Sequence, residues 1–313
     1  MKILITGGSG LVGKGIESIH KEYYNENHEW VFMSSIDCDL LNIQQTLVYF
    51  AHEKPDVIIH LAACVGGLFK NMNYKVDMFE ENIQMNTNVL RCAHECNIQR
   101  VVSCLSTCIF PDKTTYPIDE SMLHNGPPHF SNDAYAYAKR MLEIQSRAYQ
   151  EQYLREYICV IPTNVYGPHD NYHLEDAHVI PALIHQCYLA QKESRPFIIK
   201  GTGKPLRQFI YSEDLARLIL WVLFEYRSTE TIILSPDPES EVSIEEVGRQ
   251  IAKNFNYSDN IIFDDSFPDG QYRKTASNKR LREYYPEFQF TDIEKGIQKS
   301  VQWFIRNYSV CRK

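Results

Sequence analysis

Short apolar runs alternate with longer amphipathic stretches through the first half of the chain. The runs at 3–5 and 57–59 contain only isoleucine, leucine and valine, which is typical of strands buried on both faces of a sheet. The stretches at 11–24 and 134–153 are longer and place apolar residues at helical spacing. This alternation predicts an α/β protein built on a doubly wound parallel sheet of the Rossmann type.

The same patterns give bounds for the elements of this half. The predicted strands are 3–5, 30–33, 57–59, 101–105 and 157–161, and the predicted helices are 11–24, 43–52, 78–96 and 134–153.

From Pro162 onward, proline and glycine become frequent and the regular alternation loosens. We therefore expect one domain over 1–165 and a smaller α/β domain over 166–313, with segments that cross back to the first domain left open. The predicted helices of this half are 179–191, 212–225, 243–254 and 291–308, and the predicted strands are 197–200 and 232–235.

Composition excludes several classes of protein. The 313 residues are 44% apolar, enough for a large core, and the net charge of -8 is spread without acidic or basic blocks, which argues against a nucleic-acid partner. The apolar segment after Met1 is too short for a signal peptide, and no apolar run approaches the roughly 20 residues of a membrane helix. We therefore expect a cytoplasmic protein that is not bound to a membrane.

The nine cysteines are scattered, and the closest pairs, Cys92/Cys96 and Cys104/Cys108, are spaced four apart. Neither a disulfide framework nor a zinc site is indicated, because zinc ligands cluster at recognisable spacings. We expect free thiols and no metal.

A glycine-rich loop lies between the first predicted strand and the first predicted helix. Its sequence, Gly7-Gly8-Ser9-Gly10-Leu11-Val12-Gly13, satisfies both G-x-G-x-x-G and G-x-x-G-x-x-G. Glycines at these positions permit a tight turn and bring the backbone close to a pyrophosphate, while the helix start supplies partial positive charge. The loop predicts dinucleotide binding, and its simpler interpretation is a glycine-rich turn.

The end of the second predicted strand bears on the choice of cofactor. An NAD site commonly has an acidic residue there, whereas this chain has Ser34 and Ser35. These two hydroxyls can hydrogen-bond the 2′-phosphate of NADP, and no carboxylate is present at this position to repel it, so the sequence favours NADP. Asp39-Leu40 is expected either beside the adenine or as a simple turn with a capping aspartate.

Tyr135 and Lys139 are four residues apart on a predicted helix and therefore share a face. A tyrosine titrates near pH 10 on its own, so a neighbouring lysine that lowers its pKa would make it a better acid at neutral pH. Ser106 follows a predicted strand, at the edge where doubly wound sheets bind ligands, and its hydroxyl can stabilise a developing oxyanion. A Tyr-x-x-x-Lys pair taken alone is usually an exposed helix face.

Together with the glycine loop, these residues resemble the extended short-chain dehydrogenase/reductase family. Several longer strings are similar to its GDP-L-fucose synthase branch, and the resemblance runs nearly end to end. These strings are His60-Leu61-Ala62-Ala63, Ser106-Thr107-Cys108-Ile109-Phe110-Pro111, Pro162 to Asn171 and His178-Val179-Ile180-Pro181.

This resemblance implies NADPH-dependent 3,5-epimerisation and 4-reduction of GDP-4-keto-6-deoxy-D-mannose to GDP-L-fucose. It assigns proton removal and return to Cys108 and His178, and it implies a homodimer formed through the helices at 78–96 and 134–153. Further cofactor contacts implied by the resemblance are Lys139, Pro162, Thr163, Asn164, Val165 and His178. The implied substrate contacts are Gln186, Lys200, Arg207 and Asp269.

Two positions depart from the pattern of these enzymes. They usually have a basic residue where Gln186 stands and a tryptophan where Lys200 stands, so Lys200 is a hypothetical replacement for the lost charge. The alternative activities are those of another nucleotide-sugar epimerase or reductase, or of a non-catalytic NADPH-binding sensor. A dehydratase is expected to carry an acidic pair after the serine, and this chain has Thr107-Cys108.

Overall fold

A computed structural model describes residues 1–23, 28–267, 269 and 271–313 of the chain. The strands are β1 (Lys2–Thr6), β2 (Glu29–Met33), β3 (Val57–His60), β4 (Arg100–Cys104), β5 (Glu156–Pro162), β6 (Asn164–Tyr166), β7 (Phe197–Lys200), β8 (Leu206–Arg207), β9 (Phe209–Tyr211), β10 (Ile232–Leu234), β11 (Val242–Ser243) and β12 (Ile261–Asp264). The helices are α1 (Leu11–Ile19), α2 (Ile43–Glu53), α3 (Leu68–Asn73), α4 (Lys75–Glu95), α5 (Asp133–Tyr153), α6 (Val179–Lys192), α7 (Ser212–Phe224), α8 (Ile244–Asn254), α9 (Lys279–Tyr284) and α10 (Ile293–Asn307).

Six strands form one parallel sheet in the order β10-β5-β4-β3-β1-β2. Side chains alternate across it, because successive residues of a strand point to opposite faces. Leu4 packs in a core on one face, whereas Ile3 and Ile5 pack in a core on the other. The predicted doubly wound α/β fold is confirmed.

The carboxyl half builds a third apolar core. Side chains from α6, α8 and α10 and from β7 pack together there, including the buried Phe197 and Phe304. Three two-stranded sheets, β6-β9, β7-β12 and β8-β11, lie outside the main sheet.

One strand of the later half returns to the main sheet. β10 pairs in parallel with β5, with Ile233 beside Ile161, and so extends the sheet edge. Helix α7 likewise packs against α1.

The first helix was predicted five residues too long. α1 ends at Ile19 and is followed by a 3₁₀ turn over His20–Tyr23, while Tyr24 lies outside the described residues. The imidazole of His20 hydrogen-bonds the carbonyl of Glu17 through Nδ1 at 2.6 Å. That carbonyl would otherwise accept the next backbone bond of the helix, so a local side-chain bond competes with helix continuation.

The helices α3 and α9 were not predicted, and neither were the strands β6, β8, β9, β11 and β12. These elements are two to six residues long. Such short elements carry little periodicity, and the strands among them depend on partners distant in sequence.

Candidate active site

The glycine loop closes tightly between β1 and α1. Gly7 has φ of +70°, and a Cβ added there would lie 2.8 Å from the backbone nitrogen of Ala62. A Cβ on Gly13 would lie 2.6 Å from the Cα of Gly8, so the helix approaches the loop closely enough to require glycine. The N-cap residue Gly10 has no side chain to cap α1, and the backbone N–H groups of its first turn are suited to an anion.

A cleft of about 530 Å³ begins at this loop. Nearly every predicted cofactor contact lines it: Gly7, Ser9, Gly10, Leu11, Val12, Gly13, Ser34, Ser35, Asp39, Leu40, Lys139, Pro162, Thr163, Asn164, Val165 and His178. Gly8 instead supports the loop from behind, because a Cβ there would lie 2.7 Å from the backbone of Phe32 on β2.

The turn after β2 differs from the sequence prediction. The backbone N–H and the hydroxyl of Ser34 both donate to Oδ2 of Asp37, each at 2.7 Å, and these bonds lower the pKa of Asp37. A carboxylate therefore does stand near the end of β2, three residues beyond the position expected to lack one. Ser35 is exposed and lines the cleft.

Asp39 caps a turn as expected, and its place beside the adenine stays a prediction. Its carboxylate accepts the Leu41 N–H at 3.0 Å and caps a turn, and the residue also lines the cleft.

Tyr135, Lys139 and Ser106 face the same cleft. The Nζ atom of Lys139 donates to the Cys104 carbonyl at 2.9 Å and lies 5.9 Å from the ring centroid of Tyr135. Ser106 caps a 3₁₀ turn over Thr107–Ile109, where its hydroxyl accepts the Cys108 N–H at 3.4 Å.

The electrostatics of these side chains follow their burial. Burial raises the pKa of Tyr135 well above its usual value and lowers the pKa of Lys139. Burial is the main cause of the shift at Tyr135, so the expectation that Lys139 lowers the pKa of this tyrosine stays a prediction. The phenol keeps its proton at neutral pH, which suits a proton donor.

A second cavity, of about 360 Å³, opens from the first. Ser106, Tyr135 and His178 line both cavities, whereas Cys108 lines only the second. The four predicted substrate contacts, Gln186, Lys200, Arg207 and Asp269, all line the second cavity. The structure thus brings together residues up to about 160 positions apart.

Cys108 and His178 are both held toward their neutral forms. Burial raises the pKa of Cys108, while the charge of Lys274 and a hydrogen bond from Ser106 oppose that effect. Desolvation by the surrounding protein lowers the pKa of His178, although the imidazole keeps accessible surface toward the cleft. In these forms the Cys108 thiol can give a proton and the His178 imidazole can take one.

Comparison with known proteins identifies the family. The model of the NAD dependent epimerase/dehydratase family matches residues 3–234. GDP-L-fucose synthase of Dictyostelium discoideum is 58% identical over 311 residues, covering 99% of this chain and 97% of that protein. A probable GDP-L-fucose synthase of Drosophila melanogaster is 52% identical over 100% of this chain and 99% of its own length. The chain belongs to the GDP-L-fucose synthase branch of this epimerase/dehydratase family.

A solved structure agrees with this membership. The GDP-L-fucose synthetase of Naegleria fowleri bound to NADP superposes with a TM-score of 0.94 at 49% identity, covering 100% of this chain and 95% of that one. The resemblance inferred from the sequence strings is confirmed.

Hydrogen bonds and a cation–π contact hold two of the residues that line the second cavity. The Asp269 carboxylate accepts the Thr202 N–H at 2.9 Å and the Thr202 hydroxyl at 2.6 Å. The Nζ atom of Lys200 lies 4.7 Å from the ring centroid of Phe267, so its ammonium lies over an aromatic side chain of the second cavity.

Two cationic residues that line the site, Lys274 and Arg312, were missed from sequence, as was Asp37, which accepts hydrogen bonds from Ser34. Lys274 lines the second cavity, and Arg312 lines the first. Lys274 lies in an irregular segment, and Arg312 is about 300 residues from the glycine loop. No local pattern marks either residue.

The described part of the chain holds no group of three or more His, Cys, Asp or Glu side chains arranged to bind a metal ion. It also holds no helix long and apolar enough to cross a membrane. All nine cysteines are unpaired.

Proposed function

We propose that this protein converts GDP-4-keto-6-deoxy-D-mannose to GDP-L-fucose with NADPH, by 3,5-epimerisation followed by 4-reduction. The observation that carries the proposal is the junction of the two cavities at Ser106, Tyr135 and His178, with Cys108 on the substrate side. The relatives named as GDP-L-fucose synthases over nearly the whole chain support the same activity.

The residues that line the cleft are chemically suited to bind NADP. The glycine loop leaves a backbone cradle that a Cβ would fill, and the buried Thr163 hydroxyl lines the cleft without a partner among the described residues. Such an orphaned group suits an amide or hydroxyl of a bound ligand. The NADP in the Naegleria fowleri structure supports this cofactor.

For the reduction, bound NADPH supplies the hydride. We assign Tyr135 as the donor of the proton to the C4 oxygen, because its buried phenol is protonated at neutral pH. Ser106 then stabilises the developing charge on that oxygen with its hydroxyl. The ammonium of Lys139 adds positive charge beneath the ring and holds the helix against Cys104.

For the epimerisation, we assign Cys108 and His178 to the movement of carbon-bound protons. The C4 ketone acidifies the hydrogens on C3 and C5, and Ser106 and Tyr135 stabilise the enolate that forms. One of the two side chains removes a proton from a carbon, and the other returns a proton to the opposite face. Both line the substrate cavity, which supports the assignment.

The second cavity is proposed to hold the GDP moiety through Gln186, Lys200, Arg207 and Asp269. Lys200 lines this cavity together with Arg207 and Lys274. Three cationic side chains suit a nucleotide diphosphate. They support the hypothesis that Lys200 replaces the basic residue that usually stands at the position of Gln186.

The two halves of the chain are proposed to have different roles. Residues 1–165 hold the cofactor and 166–313 supply most of the substrate cavity, with α7 and β10 returning to the first half.

A cytoplasmic location is proposed as well, and the nine free thiols fit a reducing compartment.

A homodimer is proposed through the outer faces of α4 and α5. Large apolar side chains are exposed there at helical spacing: Val76 and Phe79 on α4, and Tyr137, Met141 and Ile144 on α5. The Met141→Glu/Ile144→Glu double variant is expected to be monomeric by light scattering. Val48→Glu, at a more exposed apolar position on α2, is the control.

The activity test is direct. Purified protein is incubated with NADPH and GDP-4-keto-6-deoxy-D-mannose, and the product is identified by NMR. UDP- and dTDP-linked keto sugars are the parallel substrates. GDP-L-fucose from the first substrate alone supports the proposal, turnover of another sugar favours the alternative epimerase, and NADPH binding without turnover favours the sensor.

A further inference from the structure

The segment that follows α10 reaches the wall of the cofactor cleft. The N–H of Tyr172 donates to the Arg312 carbonyl at 2.8 Å. The Arg312 guanidinium donates through Nη2 to the His169 carbonyl at 2.6 Å. These bonds dock the segment on the loop after β6 and place Arg312 along the cleft.

Few cationic side chains line this cleft besides Arg312. Among the described residues that line it, only Lys139 and Arg312 are lysine or arginine. Lys139 is 2% exposed, and its ammonium donates to the Cys104 carbonyl close to Tyr135. Arg312 is exposed, and its guanidinium, which has five N–H groups, donates a hydrogen bond to the His169 carbonyl.

A buried carboxyl beside Arg312 indicates that this wall is built for a polar ligand. Asp170 is 5% exposed, and its Oδ1 accepts the Asn171 N–H at 2.7 Å. Its Oδ2 lacks a partner within the described part of the chain, and the residue lines the same cleft. Buried polar atoms are rarely left unpaired, so an orphan on a cleft wall points to a group supplied by a ligand.

The loop that carries this wall adjoins the helix that receives the dinucleotide. Gly167 and Gly15 both pack directly against Ser212 at the start of α7, and Gly15 belongs to α1. Burial lowers the pKa of His169, and the charge of Lys14 on α1 adds to that effect. Arg312 therefore lies toward the first turns of α1, the region suited to a diphosphate, rather than toward Ser34 and Ser35 at the end of β2.

We infer that Arg312 is a cofactor-binding residue that pairs with the diphosphate of NADPH. This inference rests on the NADPH dependence proposed above. Paired guanidinium and phosphate groups form charge-assisted hydrogen bonds, which are about twice as strong as neutral ones. The diphosphate is common to NADPH and NADH, so Arg312 contributes equally to binding of both.

The experiment measures the Kd of NADPH and of NADH, by nicotinamide fluorescence, for the wild type and for Arg312→Gln. Glutamine keeps an amide N–H for the His169 carbonyl but removes the charge. Both Kd values are expected to rise by the same factor, about 10- to 100-fold, as for loss of a hydrogen bond to a charged group. The kcat at saturating NADPH is expected to stay within about threefold of wild type, because the residue is assigned to the diphosphate and not to the reacting atoms.

Lys313→Ala is the matched control. Lys313 lies 3.9 Å from the ring centroid of Tyr308 and is absent from the residues that line the cleft. The Lys313→Ala substitution removes a positive charge next to Arg312 in the chain and is expected to leave both Kd values unchanged. If Arg312→Gln does not fold, as judged by thermal unfolding, Arg312→Ala is measured in its place.

The outcomes separate this inference from the proposed function. Unchanged Kd values in the Arg312 variant overturn the inference alone. Weaker binding of NADPH with unchanged binding of NADH also overturns it, because it assigns Arg312 to the 2′-phosphate. A lower kcat with unchanged Kd values assigns Arg312 only to bracing the loop. A wild-type protein that binds neither cofactor overturns both the inference and the proposed function.

Discussion

The Nζ atom of Lys139 donates a hydrogen bond to the Cys104 carbonyl at 2.9 Å, joining α5 to the end of β4. The lysine is buried, and the ring of Tyr135, one helical turn earlier, lies 5.9 Å from it. Because Ser106 follows β4 directly, this bond fixes the spacing between the tyrosine and the serine. Lys139 therefore has a positioning role in addition to its charge.

Tyr135→Phe is expected to reduce the rate of NADPH oxidation by about 10²- to 10⁴-fold, the usual contribution of a positioned acid. The Kd of NADPH should stay close to the wild-type value, because only a hydroxyl is lost. Lys139→Ala is expected to impair both turnover and NADPH binding, since it also removes the bond to Cys104. A Tyr135→Phe rate within tenfold of wild type would exclude Tyr135 as the proton donor.

The turn after β2 makes Ser35 the better position for changing cofactor preference. The hydroxyl of Ser34 is already bound to Asp37, whereas Ser35 is exposed and lines the cleft. Ser35→Asp is expected to lower the ratio of kcat/KM for NADPH over NADH by about 10- to 100-fold, because a carboxylate repels the 2′-phosphate. Ser34→Ala is the control and should change the ratio less. An unchanged ratio in Ser35→Asp would mean that the 2′-phosphate binds elsewhere.

The sequence predicts the repetitive part of this fold well. Helix α5 and strand β7 occur almost where periodicity and apolar runs place them, because each depends on residues close in the chain. The glycine loop and the Tyr135/Lys139 pair are local patterns of the same kind. Tertiary partners decide the rest: β6 pairs with β9 about 45 residues later, and Arg312 reaches the cleft from beyond α10.

The charge state of the site could not be predicted from spacing. Tyr135 and Lys139 share a helix face as expected, yet burial controls the pKa of each of them. Burial is a property of the packed protein, and the sequence alone indicates it only for regular elements. The role of Asp37 was missed for a similar reason, since its bonds to Ser34 depend on the turn that brings it back.

Asp170→Asn is expected to make stability less sensitive to pH. Burial raises the pKa of Asp170 from 3.8 to about 7, so the folded protein holds this proton more tightly than the unfolded chain. The wild type therefore loses stability as pH rises from about 4 to about 7, and the loss is complete above that range. The free energy of unfolding of Asp170→Asn minus that of wild type should be on the order of 2 kcal/mol larger at pH 8 than at pH 5, so the variant gains relative stability as pH rises.

Urea unfolding at both pH values measures this difference. Asp259→Asn, at an exposed position, is the control and should show no such pH dependence relative to wild type. An equal effect of Asp170→Asn at pH 5 and pH 8 would show that the Asp170 carboxyl titrates near its ordinary value.

Lys200→Ala is expected to raise the KM for the GDP-linked keto sugar by about 10- to 100-fold while the Kd of NADPH stays constant. Lys200 lines the substrate cavity near Arg207 and Lys274, and a charge-assisted bond to phosphate is worth about this much. Lys204→Ala is the matched control, because Lys204 is exposed and absent from the residues that line this cavity. Unchanged affinity in Lys200→Ala would rule out Lys200 as the replacement for the missing basic residue.

Solvent deuterium separates proton transfer at carbon from hydride transfer. In D₂O without NADPH, the wild-type protein should exchange hydrogen at C3 and C5 of the keto sugar, because enolisation needs the ketone but no hydride. Burial raises the pKa of Cys108, so if its thiolate is the base, the exchange rate should rise about tenfold per pH unit below that raised pKa. NMR of the recovered sugar measures the exchange at each carbon.

Cys108→Ser then tests the residue itself. A hydroxyl has a far higher pKa than a thiol and fills a similar volume, so exchange should fall steeply while NADPH still binds. Any reduction that remains should give sugar with one or both centres uninverted, because the ketone is reduced before epimerisation finishes. His178→Gln, in the same assay, should impair exchange at one or both carbons without abolishing NADPH binding. Exchange at the wild-type rate in Cys108→Ser would leave Cys108 as a packing residue of the cavity wall, with the proton transfers carried out by other groups.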